Sequence, residues 1–238
     1  MRGLIRKARS NLRTDAWTCS RCSNKSHITH IMNTRSASAD NICAVAIAHF
    51  SEHGYDASSL TDIAQRVGMR KASLYSHFAS KDDLYLEAFS DAIDDERAFI
   101  QSCFDDEYAV APAPAKAGKL YCDKMENCYA QSGHLRFLLR TAYLPPNSLR
   151  EEIVSRYTAL LGELEQNYKV SLTRSAPWLT AQRIELYGKA YLGIVDSLHV
   201  ELIYAGGVAL KVRQAALWQI LSDSLVESEN QNIGGAAR

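Results

Sequence analysis

Apolar residues return every three or four positions from Ala39 almost to the end of the chain, the spacing that lines one face of an α-helix. The first such stretch puts Ile42, Val45, Ala46, His49 and Phe50 on one stripe and stops at Gly54. A short second helix opens at Ser59, whose hydroxyl can accept an unpaired backbone N–H. It carries Asp62 near the positive end of its dipole and turns Ile63, Ala64 and Val67 inward. Gly68 supplies a tight turn, and a third helix over residues 71–78 buries Leu74 and Phe78. A longer amphipathic stretch follows Ser80, with Leu84, Ala88, Phe89, Ile93 and Phe99 inside, ending near Phe104. Pro112 and Pro114 mark 111–115 as a loop, and further helices are predicted over 116–132, 135–143, 148–169, 180–204 and 208–227. Pro145, Pro146, Pro177, Gly206 and Gly207 punctuate them, and 229–238 reads as a frayed polar tail. No period-two alternation is long enough for a strand, and no segment repeats. The pattern predicts an all-α protein: a three-helix helix-turn-helix unit over residues 36–96, then a larger helical domain over 97–238.

The segment before this pattern is different. Residues 1–38 are rich in Ser, Thr, Asn, Arg and Lys and have nothing to bury, so they read as disordered. The basic part, 1–35, is either a true tail or upstream of the real start at Met32. Cys19, Cys22, His27 and His30 are metal-competent types, but only Ser23 to Ser26 separate the two pairs. A finger needs roughly a dozen residues there for its turn and helix, so no metal site is expected.

Charge then localises the chemistry. The chain balances 27 basic against 27 acidic residues, which by itself argues against a nucleic-acid binder. Residues 1–35 carry eight of the cations against Asp15 alone, leaving nineteen basic and twenty-six acidic residues in the remainder. DNA binding must therefore come from a small local cluster of cations. No apolar run is long enough for a membrane span and no signal peptide is visible, so a cytoplasmic location and no membrane partner are expected. Cys43, Cys103, Cys122 and Cys128 sit in helical patterns as small, reduced hydrophobes; a thiol switch through the last three is the alternative.

A helix fits the major groove and reads bases near its N-terminus, which makes Arg70, Lys71 and Ser73 the candidates for base contact. The order Leu60-Thr61-Asp62-Ile63-Ala64, Val67-Gly68-Met69-Arg70-Lys71-Ala72-Ser73-Leu74-Tyr75-Ser76-His77-Phe78 and Lys81-Asp82-Asp83-Leu84 resembles the signature of the tetracycline-repressor (TetR) family of bacterial transcription regulators. The resemblance covers 49–89 and implies a ligand-responsive repressor that binds a palindromic operator in double-stranded DNA as a homodimer. It places phosphate contacts at Tyr75, His77 and Lys81. Ser59 and Thr61, which open the second helix, suit a phosphate as well. Two departures stand out: Arg70 replaces the small hydroxyl residue that opens the recognition helix in many relatives, and Ser76 replaces an aromatic.

Two half-sites need two heads. The stripes Ala190, Ile194, Leu198 and Leu202, and Leu210, Leu217, Ile220 and Leu221, are the expected dimer interface, or else they close each subunit's own core. Tyr121, Cys122, Met125, Tyr129, Phe137, Tyr143, Tyr187 and Tyr191 offer apolar bodies with polar tips, the lining of a pocket for an unidentified small-molecule effector. No cofactor is expected. No phosphate loop, nucleophile elbow or His-Glu-x-x-His is present, so no enzymatic activity is expected.

Overall fold

The structure, a computed structural model, describes residues 35–110 and 113–236. The basic segment with Cys19, Cys22, His27, His30 and Met32 lies outside the described residues, as does Pro112. Among the described residues all regular structure is helical: α1 (Ala37–His53), α2 (Leu60–Val67), α3 (Lys71–Leu74), α4 (Lys81–Val110), α5 (Lys119–Gln131), α6 (Gly133–Tyr143), α7 (Arg150–Ser175), α8 (Ala181–Tyr204) and α9 (Gly207–Ala236). Short 3₁₀ turns at Pro114–Lys116 and Asn147–Leu149 precede α5 and α7. None of the described helices is long and apolar enough to cross a membrane.

The helices start where small side chains satisfy their first N–H groups. Ser36 accepts from the Ala39 N–H at 3.3 Å to cap α1, and Thr180 does the same for the Arg183 N–H, at 3.3 Å, at the start of α8. Ser80 accepts from the Asp83 N–H at 3.0 Å, while the Asp83 carboxylate accepts from the Ala79 N–H at 2.8 Å, a reciprocal cap for α4. At α5 the cap comes from a distant residue. Gly118 has no side chain to offer, and the buried Glu107 carboxylate from the end of α4 accepts from the Gly118 and Leu120 N–H groups at 2.7 and 2.6 Å. That carboxylate sits at the positive end of the α5 dipole, and burial raises its pKa.

Four elements differ from the sequence expectation, among them α7, which continues past residue 169 to Ser175. Helix α4 continues past Phe104 to Val110, so it runs without a break through residue 96, where the two predicted domains would meet; Ser36–Arg238 clusters as one compact unit. Helix α9 continues to Ala236 in place of a frayed tail. The third helix is shorter than predicted, as described below.

Helices α1 to α3 and the start of α4 form a head, and α4 to α9 form a body. The two share a core. Phe50 on α1 stacks on Phe137 of α6 at 6.0 Å, and Tyr85 of α4 sets its edge against both rings at 4.7 and 5.1 Å. The Tyr85 phenol and the Thr141 hydroxyl share a buried hydrogen bond of 2.8 Å. Above them Arg140 of α6 donates to the Ser51 carbonyl at 3.2 Å, placing its charge at the negative end of α1. In the body, Tyr168 of α7 and Tyr191 of α8 lie flat on each other at 4.1 Å, and Trp218 of α9 donates to the Ala115 carbonyl at 3.0 Å.

Candidate nucleic-acid interface

The turn between α2 and α3 is built by local rules. Ser59 caps α2 twice over, accepting from the Asp62 N–H at 3.2 Å and donating to the Asp62 carboxylate at 2.7 Å. At the other end Gly68 takes φ 79° and ψ 28°, a left-handed conformation that favours glycine. Its N–H donates to the Gln65 carbonyl at 3.1 Å and the Met69 N–H to the Ala64 carbonyl at 2.9 Å. This pair of bonds closes the helix and reverses the chain in two residues.

Arg70 then stands in extended backbone at the head of α3, and no side chain caps it. The missing hydroxyl noted in the sequence therefore leaves the first N–H groups of α3 without a side-chain cap. Regular α-helix covers only Lys71–Leu74, half of the predicted span. Beyond it the Ser76 and His77 N–H groups bond three residues back, to the Ser73 and Leu74 carbonyls at 3.3 and 3.0 Å, and the Ser76 hydroxyl also donates to the Ser73 carbonyl at 2.6 Å. A serine side chain competing for backbone carbonyls tightens the turn.

Leu74 and Phe78 are buried and pin this segment to the head. Arg70, Lys71, Ser73, Tyr75 and His77 are all exposed, on a stretch from Met69 to Ser80 that contains no acidic residue. Tyr75 keeps 49% of its surface exposed, far more than a packing role would leave it. The Lys71 ammonium lies 6.0 Å from the Tyr75 ring, and His77 Nε2 is 3.3 Å from the Ser38 hydroxyl at the start of α1. Thr61 is exposed in the first turn of α2.

Two predicted phosphate donors are otherwise engaged. The Ser59 hydroxyl is committed to Asp62 as a cap, so the backbone and the exposed Thr61 of this helix end remain for an anion. Lys81 folds back over the Tyr55 ring, 3.9 Å from its centroid, and donates to the Tyr55 and Ser58 carbonyls at 3.0 and 3.3 Å. It fastens α4 to the loop between α1 and α2. Tyr55 also donates its phenol to Asp82, and burial raises its pKa to about 12.

The predicted effector residues are mostly core. Tyr121, Cys122, Met125, Phe137, Tyr187 and Tyr191 are buried and closely packed; Tyr129 and Tyr143 are partly buried. Of the eight, Tyr143 lines an open cleft, between α6, α7, α8 and α9. The predicted dimer stripes divide similarly. Ile194, Leu198, Leu202, Leu210 and Leu221 are spent in the subunit's own core, Leu217 is half-buried, and Ala190 and Ile220 are exposed. Sequence reasoning named Ala190 but not the rest of the outward stripe it belongs to: Leu186, Gly193, Val200 and Tyr204 on α8, with Val208 and Val212 on α9. Their three- and four-residue spacing was available as a signal, but a small-residue stripe is weaker in hydrophobicity than the leucines next to it. Burial pushes the Cys103 and Cys122 thiols up to about 12, which keeps both protonated and unreactive.

Fold and surface together define a helix-turn-helix head carried on a helical body. Residues 42–88 match the family model of bacterial regulatory proteins, tetR family, so the head of this chain is similar to the heads of that family. The same region is 37% identical over 71 residues to the biofilm operon icaADBC HTH-type negative transcriptional regulator IcaR of Staphylococcus epidermidis, covering 30% of this chain and 38% of that protein. IcaR of Staphylococcus aureus strain Newman is 42% identical over 66 residues, 28% of this chain and 30% of its own length. The chain thus spans about a third of the length of the curated relatives it matches. A solved protein from Mesorhizobium loti, described as a TetR-family transcriptional regulator, superposes with TM-score 0.60 at 17% identity over 79% of this chain and 96% of its own. That likeness carries the fold through the body as well as the head.

Proposed function

We propose that this protein is a transcriptional repressor that binds a palindromic operator as a homodimer and lets go when a small molecule binds its body. The observation that carries the reading is the acid-free exposed segment from Arg70 to His77, held outward by buried Leu74 and Phe78. Arg70 and Lys71 suit guanine O6 and N7 and Ser73 suits either base edge, while Tyr75 and His77 donate to phosphate oxygens. The relatives matched over the head are negative regulators by name, which favours repression over activation. A head this small contacts few base pairs, so two heads on half-sites about 34 to 36 Å apart supply the specificity. The exposed apolar stripe of α8, with Val208, Val212 and Ile220 of α9, is the surface on which a second copy would close.

Footprinting on the DNA upstream of the protein's own gene tests the whole reading. A protected palindrome, lost with Lys71→Ala, is expected; equal loss of affinity for operator and random DNA would remove Lys71 from base reading. For the dimer, Val200→Glu combined with Ile220→Glu should convert the protein to a folded monomer in sedimentation, and an unchanged dimer would relocate the interface.

A further inference from the structure

The body contains a line of polar side chains that no packing role requires. Glu96 on α4 is buried and accepts from the Tyr121 phenol of α5 at 2.7 Å. Tyr121 lies 3.5 Å from Nε2 of the buried His199 on α8, whose Nδ1 is 3.1 Å from the Tyr157 phenol of α7. Tyr157 faces Tyr143 in turn, their ring centroids 6.2 Å apart, and Tyr143 faces Asp196. Six side chains from five helices thus connect a carboxyl deep in the body to a carboxyl on the surface.

The outer end of this chain opens into a cleft of about 400 Å³, walled by Tyr143, Tyr157, Leu161, Asp196, Val200 and Arg213. Its size is at the lower end of small-molecule sites, which run from roughly 300 to 1,000 Å³. Its charge is not balanced. The Arg213 guanidinium is held by Glu201 at 2.5 Å and donates to the Ser197 hydroxyl at 3.2 Å, so it is already neutralised. Asp196 is exposed in the cleft and faces the neutral phenol of Tyr143, with no cation paired to it among the described residues; partial burial raises its pKa. The Tyr143 and Tyr157 rings stand edge to face at 6.2 Å beside it. A carboxylate flanked by two electron-rich aromatic rings suits a cation that is bulky and weakly hydrated.

We propose that this cleft binds an organic cation, a substituted ammonium with an apolar arm, with its charge at Asp196 and its arm against Leu161 and Val200. The inference rests on the ligand-responsive reading above and gives that ligand a chemical class. It also gives the ligand a route to α4. A cation beside Asp196 favours the ionised carboxylate there, which orients the Tyr143 phenol as donor to Asp196, the Tyr157 phenol as donor to Tyr143 and His199 Nδ1–H as donor to Tyr157. His199 Nε2 then accepts from Tyr121, and the Tyr121 oxygen accepts from a protonated Glu96. In the opposite sense each proton moves one bond over, Glu96 is ionised and Asp196 is protonated; the atoms and total charge are the same. The imidazole can take either role because its two nitrogens exchange donor and acceptor with the tautomer. Val200 belongs both to the cleft wall and to the exposed stripe of α8, so an occupant also lies beside the proposed dimer face.

The test is calorimetric titration of the full-length protein, without DNA, with benzyltrimethylammonium, against 3-phenylpropionate as an anion of similar shape. Saturable binding of the cation, at least tenfold weaker binding of the anion, and at least tenfold loss of cation affinity in Asp196→Asn are expected. Equal binding of both probes, or no loss in Asp196→Asn, would overturn the site. Infrared difference spectra at neutral pH supply a second readout: the cation should increase a carboxylic-acid C=O band that is absent in Glu96→Gln. Its failure to change would sever the link to α4. Operator release is measured separately. Binding without release would leave the site standing and remove the ligand-responsive reading, while operator binding with no cation binding would do the reverse.

Discussion

Replacing Glu96 by glutamine keeps an acceptor for the Tyr121 phenol and removes the titration. Burial is the largest influence on this carboxyl and pushes it up to about 7 from an ordinary 4.5; the Tyr121 hydrogen bond pulls the other way. Because the folded state holds the proton more tightly than the unfolded chain, Glu96 contributes full stability below pH 4.5 and loses it as the pH rises through 7. The gap between the two values corresponds to about 3 kcal/mol in total, of which about 2 to 3 kcal/mol falls between pH 5 and pH 8. His199 acts in the opposite sense: burial lowers it to about 3 from 6.5, so its contribution is lost as the pH falls below 6.5. Wild type and variant share His199, and subtracting their unfolding free energies isolates Glu96. Urea unfolding at pH 5, 6, 7 and 8 is the assay. The variant should gain about 2 to 3 kcal/mol relative to wild type over this range and no more above it. Parallel profiles would refute the reasoning, since they would mean that Glu96 titrates alike in both states.

Lys71→Ala should weaken operator binding by about 1 to 3 kcal/mol in a gel shift while leaving thermal stability within about 0.5 kcal/mol. Lys81→Met removes the charged donor to the Tyr55 and Ser58 carbonyls, leaving Tyr55 only the Ser58 N–H at 3.2 Å, and should cost about 1 to 2 kcal/mol of folding free energy, with the salt dependence of DNA binding unchanged; a slope flattened by about one unit would return Lys81 to the phosphates. Two glycines test the backbone argument by denaturant unfolding. A Cβ at Gly68 meets nothing within 4 Å, so Gly68→Ala should cost about 1 to 2 kcal/mol of left-handed strain alone. At Gly118, with φ +72°, it meets Tyr168 and Tyr191 at 2.8 Å each, so Gly118→Ala should cost at least about 2 kcal/mol more, and equal costs would show that the tyrosine stack yields.

The sequence by itself determined the helices and the head. The rules that start and stop α2 act within three or four residues, so Ser59, Asp62 and Gly68 could be read directly, and so could the outward Arg70, Lys71 and Tyr75 once Leu74 and Phe78 were assigned inward. Even the weak cap at Arg70 was visible. The shortening of α3 was not, because Ser76 has two local outlets, a helical N–H bond and a side-chain bond to Ser73, of nearly equal worth. Only the tertiary structure decided the rest. Lys81 reads as a cation until the carbonyls of Tyr55 and Ser58, 26 and 23 residues away, are brought beneath it. The leucines of α8 and α9 satisfy the pattern of an interface and of a core equally well, and which face a neighbour covers depends on how α7, α8 and α9 meet. The chain from Glu96 to Asp196 has no sequence signature, since its members lie on five different helices. Local periodicity fixes which side chains share a face; only packing across long separations fixes what that face meets.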